Sequence, residues 1–218
     1  MSVIQEENYE VRNFKYQIIE GKIVSMASLA NPNHSSISGD IYFAFKQYFR
    51  LKNNKKCKVY IDNNYIRLDI ISKQRNITLP EECKNDRFIP DVMVICDKSM
   101  DTMKGVTGAP TLVVEVLSKG TAEYDTQIKK QVYELIGVGE YWIVHPGLKS
   151  IEIYVLQDGK YVLYKTYYKY SEDEIANIED ERRDIGKSFE VITEFSPYTF
   201  PDLSIKIDEI FDDMIEEN

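Results

Sequence analysis

The sequence predicts a mixed α/β (α+β) fold, a β-sheet flanked by a few helices with additional β-hairpins. Three observations predict it. Short apolar runs bounded by turn residues recur along the chain and read as strands. Two longer stretches carry apolar residues at helical spacing. The two kinds of segment are interleaved, with no internal repeat and no linker between them. At 218 residues and 43% hydrophobic content the chain is long enough for one well-packed core, so residues 1–218 are expected to form a single domain.

Taken in order, Tyr16 to Met26 reads as a hairpin turning at Glu20-Gly21. Asn31-Pro32-Asn33 supplies turn and cap residues for a helix from about His34 to Arg50, with Ile37, Ile41, Phe45 and Tyr48 at helical spacing. Short strands Lys58–Ile61 and Tyr65–Leu68 follow, around an Asp62-Asn-Asn turn, and residues 72–87 read as polar loop. Two very apolar strands come next, Phe88–Ile95 and Thr111–Leu117. Thr121 is a candidate N-cap for a helix over 122–136, which Gly137 terminates. Glu140–His145 is a further strand, and Lys149–Leu156 pairs with Lys160–Tyr167 over an Asp158-Gly159 turn. Residues 171–187 are charged loop or local helix, and the tail from Phe200 alternates before a short acidic helix.

The net charge of −9 is unevenly spread. Residues 171–218 hold 16 Asp/Glu against 4 Lys/Arg, so the acidity belongs to a C-terminal segment. One stretch, Arg50 to Lys58, is basic without a single acid, and Lys52, Lys55, Lys56 and Lys58 are candidate phosphate contacts or a solvated loop. Cys57, Cys83 and Cys96 are odd in number and lack a CxxC pair, which argues against a disulfide framework and a zinc knuckle. The polar N-terminus and the absence of a long apolar run predict a soluble cytoplasmic protein.

Asp91 and Glu115 are the informative residues, because each sits in an apolar strand. An ionised carboxylate there is costly to bury without a cation. A shared divalent metal would meet the need, as would a structural ion pair; the Val116 carbonyl could add an oxygen ligand. Asp125, Lys129 and Tyr133 lie on one face of the following helix, so Lys129 could reach back toward Glu115, with Lys130 on another face. No GxSxG elbow, Walker loop or HExxH helix is present.

Pro90-Asp91-Val, then Ala109-Pro110-Thr-Leu-Val-Val-Glu115-Val-Leu-Ser, then Asp125, Lys129, Tyr133 and Gly137-Val-Gly-Glu140-Tyr-Trp-Ile-Val form an ordered series. It resembles the Uma2 family of restriction-endonuclease-like domains, in the PD-(D/E)XK nuclease superfamily. Ile19-Glu20-Gly21-Lys and Pro32-Asn-His34 add to the likeness, and Glu20 and His34 are expected in supporting roles. The resemblance implies a central mixed sheet flanked by helices and a Mg²⁺-dependent DNA endonuclease, with Mn²⁺ as a possible substitute. It implies Asp91, Glu115 and Val116 on the metal, Lys129 as catalytic lysine, and a 5′-phosphate product. Leu117 stands where the superfamily's usual lysine would be, and Gln17 and His145 stand where family members often carry acids. A homodimer is compatible with the family. The alternative is a catalytically inactive module of the same fold that binds nucleic acid or a protein partner.

Overall fold

The computed structural model describes residues 16–19, 22–25, 32–62, 64–80, 83, 87–118, 122–184 and 188–215. The expected turn at Glu20-Gly21 and the Thr121 cap lie outside these residues. Strands β1 (Tyr16–Ile19) and β2 (Lys22–Ser25) pair antiparallel, as a hairpin requires. Helix α1 (Pro32–Leu51) opens on a proline, which suits a helix start because its missing N–H would have no intrahelical partner.

After α1 come β3 (Lys58–Ile61), β4 (Ile66–Arg67) and α2 (Leu68–Arg75). Here the structure departs from the sequence reading in two ways. The expected strand at 65–68 is reduced to two residues, and helix takes Leu68–Arg75, reaching into the start of the expected loop at 72–87. Leu68 and Ile71 are buried one turn apart, and burial of that pair offsets the polar remainder of α2. β5 (Arg87–Phe88), β6 (Val92–Ile95), β7 (Asp101–Thr102), β8 (Gly105–Val106) and β9 (Leu112–Val116) follow.

The next helical segment runs continuously through α3 (Ala122–Tyr124), a π turn (Asp125–Lys129) and α4 (Lys130–Ile136). Gly137 ends it at φ +82°, in the left-handed region glycine favours. β10 (Glu140–His145), β11 (Ser150–Gln157) and β12 (Lys160–Tyr168) complete the central strands. Asp158 and Gly159 both have positive φ, the requirement of the tight hairpin turn expected there. α5 (Glu172–Asp184), β13 (Glu194–Phe195), β14 (Ile205–Lys206) and α6 (Ile207–Phe211) finish the described chain.

The central sheet has the order β12-β11-β10-β9-β6-β3. Only β9 and β10 pair parallel within it, so the sheet is mixed and the helical segment between them is the crossover. A second sheet has the order β2-β1-β5-β4-β8-β7, and β13 pairs with β14. β3 and β4, neighbours in sequence, belong to different sheets.

Strand alternation divides the core between the two faces of the central sheet. One face gathers Val92, Val94, Val114, Trp142 and Ile153 under α1, α6 and the tail. Phe45 lies 5.8 Å from both Trp142 and Phe200, ring centre to ring centre. The other face gathers Met93, Val113, Tyr141 and Ile143 against α2, α4 and Phe88. Among the described residues no helix is long and apolar enough to cross a membrane.

A disulfide joins Cys57 to Cys96, which corrects the expectation from cysteine spacing. Lys58 pairs with Ile95 across β3 and β6, so the residues just outside that pair, 39 apart in sequence, are brought side by side. Cys83 is buried and takes no part in a disulfide. Closing a loop of that length restricts the unfolded chain by about 4 kcal/mol in the chain-entropy account. Urea denaturation of Cys57→Ala/Cys96→Ala should therefore show a clearly lower midpoint; an unchanged midpoint would mean the bond contributes nothing.

Candidate functional site

Asp91 follows Pro90 at the entrance to β6, and Glu115 is the fourth residue of β9. β6 and β9 run antiparallel with Val92 opposite Val114, so the start of one strand meets the end of the other. Both carboxylates therefore stand at one end of the central sheet. They are buried, with 5% and 1% of their surfaces exposed.

The surroundings explain how such burial is tolerated. Lys129 Nζ lies 2.9 Å from Glu115 Oε2 and 2.8 Å from Asp125 Oδ1. Tyr133 donates its hydroxyl to Glu115 Oε1 at 2.6 Å. The Val116 amide donates to Asp91 Oδ2 at 2.6 Å, and His34 Nε2 approaches the same oxygen at 3.1 Å. His34 comes from the first turn of α1, on the opposite side of the sheet from α4.

The π turn aims the helix at this point. Asp125 and Lys129 are both buried in it, at 2% and 3% exposure. Tyr141, from β10, donates its hydroxyl to the Asp125 carbonyl at 2.9 Å. Short π segments recur at functional sites because they re-aim side chains within an otherwise regular helix.

Charge at the site is unbalanced. Three acids face one lysine, with His34 able to add a second cation. Burial pushes the Glu115 carboxyl above its ordinary value; Lys129 opposes the shift, and the charges of Asp91 and Asp125 reinforce it. Lys129 is held in its charged form: burial works against the ammonium, but Asp125, Glu115 and Asp91 outweigh it. For His34, burial again disfavours the cation, while the hydrogen bond and charge of Asp91, with Asp62 and Glu115, raise its pKa. Tyr133 is pushed well above its ordinary value by burial and by Glu115, so it remains a donor.

The structure thus brings Asp91, Glu115, Val116, Asp125, Lys129, Tyr133 and His34 into one cluster. Glu20 lies outside the described residues. Lys52, Lys55, Lys56 and Lys58 stand elsewhere: Lys58 pairs with Ile95, at the opposite end of β6 from Asp91. Lys58 engages Asp101 at 2.6 Å, Lys52 lies 3.6 Å from Asp202, and Lys55 and Lys56 are exposed. Lys130 packs its ammonium over the Tyr154 ring, 3.4 Å from its centre. His145 faces Glu152 at 3.7 Å. Tyr141 was missed in the sequence, because its place follows from strand register. Ile143 pairs with Glu115, so Tyr141, two residues earlier, shares Glu115's face of the sheet.

A mixed sheet flanked by helices, with an acid pair and a lysine gathered at one end, defines a domain of the restriction-endonuclease-like class. The family model described as "Uma2: Putative restriction endonuclease" matches residues 5–181, and the chain belongs to this family. Among solved structures it is similar to a "putative nuclease belonging to DUF820" from Anabaena variabilis ATCC 29413. That likeness has a TM-score of 0.57 at 14% identity and covers 90% of this chain and 89% of that one. It speaks for the fold. A comparison with curated proteins found no match.

Proposed function

We propose that this chain is a divalent-metal-dependent nuclease that hydrolyses phosphodiester bonds in DNA. The observation that carries the reading is the convergence of Asp91 and Glu115 at one sheet end, with Lys129 held 2.9 Å from Glu115. Among the described residues no group of three or more His, Cys, Asp or Glu side chains is placed to hold a metal ion by itself. Mg²⁺ does not require one, since it is commonly held by one or two carboxylates, waters and substrate phosphate. The excess of acid over base in a buried cluster is the deficit a divalent cation would fill. Asp91 and Glu115 would hold Mg²⁺, or Mn²⁺ in its place, and the ion would supply an acidified water and a polarised phosphate.

The chain's own groups do the positioning. The Val116 amide and His34 fix the Asp91 carboxylate, while Tyr133 and Lys129 fix both oxygens of Glu115. Asp125 in turn holds Lys129, whose charge offsets the negative charge that develops on the phosphate.

The test is a cleavage assay on supercoiled and linear DNA with Mg²⁺, Mn²⁺ or a chelator. Asp91→Asn and Glu115→Gln keep the shape of the site, and each is expected to lower the rate by about 100-fold or more. Wild-type melting should also rise with added Mn²⁺, as a ligand binding only the folded state requires, and Asp91→Asn should lose the rise. Full cleavage by Glu115→Gln would overturn the reading. A second reading, a non-cutting module that binds nucleic acid or protein, is favoured by the near-complete enclosure of Glu115 and Lys129. Calorimetry showing no metal binding beside intact DNA binding would select it.

A further inference from the structure

β10 ends on His145, and strand register places that residue beside the acid pair. Val144 lies opposite Val116 in the parallel ladder, and the Leu117 amide donates to the Val144 carbonyl at 2.9 Å. His145 therefore stands next to Leu117, two residues beyond Ile143, the partner of Glu115. Side chains alternate along a strand, so His145 projects from the same face as Glu115, one pleat nearer the rim. Trp142 and Val144 turn the other way, into the core beneath α1.

His145 Nε2 is buried and has no hydrogen-bond partner among the described residues. Glu152, on the neighbouring strand β11, brings Oε1 to 3.7 Å from it, too far for a hydrogen bond. The Tyr154 hydroxyl donates to the other oxygen of Glu152 at 2.7 Å. A buried ring nitrogen left unmatched is uncommon, because it forfeits the hydrogen bond it would make in water. The side chain is 22% exposed, so a turn of the ring exchanges this loose pairing for an acceptor at the rim. The lysines on this face are already engaged. Lys129 is clamped between Glu115 and Asp125, and Lys130 lies over the Tyr154 ring.

Asp91 and Glu115 stand at the ends of β6 and β9, and β10 is the next strand. His145 is thus one and a half strand spacings, about 7 Å, from the midpoint of the acid pair. That is the step from one phosphate to the next along a nucleic-acid strand. We propose that His145 binds the phosphate adjacent to the one cleaved, so that the substrate strand runs along the end of the sheet from β6 toward β11. The inference rests on the nuclease reading. Imidazole keeps an N–H to donate whether neutral or charged, so the contact does not require a change of protonation. The phosphate it holds does not react, so its binding energy appears in KM rather than in kcat.

Mg²⁺-dependent cleavage of a DNA oligonucleotide with a mapped cut tests this. His145→Ala should raise KM about tenfold, the loss of one hydrogen bond to a charged group, with kcat and melting temperature close to wild type. His145→Gln, which keeps an N–H at similar reach, should recover part of the loss. A single neutral methylphosphonate on one side of the cut should raise the wild-type KM by a similar factor and leave that of His145→Ala unchanged. An unchanged KM in His145→Ala would overturn the proposal, as would a methylphosphonate penalty that persists there in full. So would a loss confined to kcat and melting temperature, the mark of a structural role. In each of these cases the wild type still cuts and the nuclease reading stands; a wild type that cuts no DNA overturns both.

Discussion

Lys129→Met is expected to destabilise the protein by about 3–5 kcal/mol, the usual result of removing one partner from a buried ion pair. The lysine lies between Glu115 and Asp125, and each of the three groups is at most 3% exposed. Without it, two carboxylates are left facing each other away from water, and one of them must take up a proton for the fold to persist. Urea denaturation of the single variant checks the expectation. Lys129→Met/Glu115→Gln should recover part of the loss, because the second change removes one uncompensated charge. Unchanged stability in the single variant would mean that the cluster is not ionised as described. The result also governs how cleavage data are read. An inactive Lys129 variant could simply be poorly folded, so the neutral, isosteric changes at Asp91 and Glu115 are the cleaner probes of chemistry.

Glu140→Ala is expected to cost about 3 kcal/mol, from the loss of three hydrogen bonds to a charged acceptor, one of which leaves the buried Trp142 donor unpaired. Glu140 is fully buried and accepts from Trp142 Nε1 at 2.7 Å, from the Tyr198 amide at 3.0 Å and from the Thr199 amide at 2.7 Å. The carboxylate thus ties a segment 58 residues downstream to the central sheet. That segment brings Phe200 against Phe45 and Phe49. Hydrogen exchange should show the Tyr198 and Thr199 amides losing protection in the variant, ahead of amides in β9 and β10. If thermal melting and exchange match the wild type, the carboxylate is not what holds the segment.

What was legible in the sequence was local. Acids inside apolar strands marked Asp91 and Glu115, and helical spacing put Asp125, Lys129 and Tyr133 on one face. Gly137 and Asp158-Gly159 marked backbone positions that need positive φ. Register and long-range contact were not legible. The Cys57–Cys96 bond follows from which residues of β3 and β6 pair, and cysteine spacing carries no trace of that. His34 meets Asp91 only because α1 begins over the end of the sheet. Glu140 read as part of a strand motif, yet its partners at 198 and 199 come from a separate part of the chain. The α2 helix was hidden because only Leu68 and Ile71 of its eight residues are buried.

Asn33 donates to the Ile215 carbonyl at 2.8 Å and accepts from its amide at 2.7 Å. The next residue, His34, is the one that touches Asp91. The stretch at Ile215 is therefore fastened one residue from the histidine that touches Asp91, although 182 positions separate it from Asn33. For anyone preparing this protein, the choice of which end carries a purification tag becomes a choice about the site. A fusion that pulls Ile215 off Asn33 loosens the first turn of α1 and, with it, the histidine that steadies Asp91.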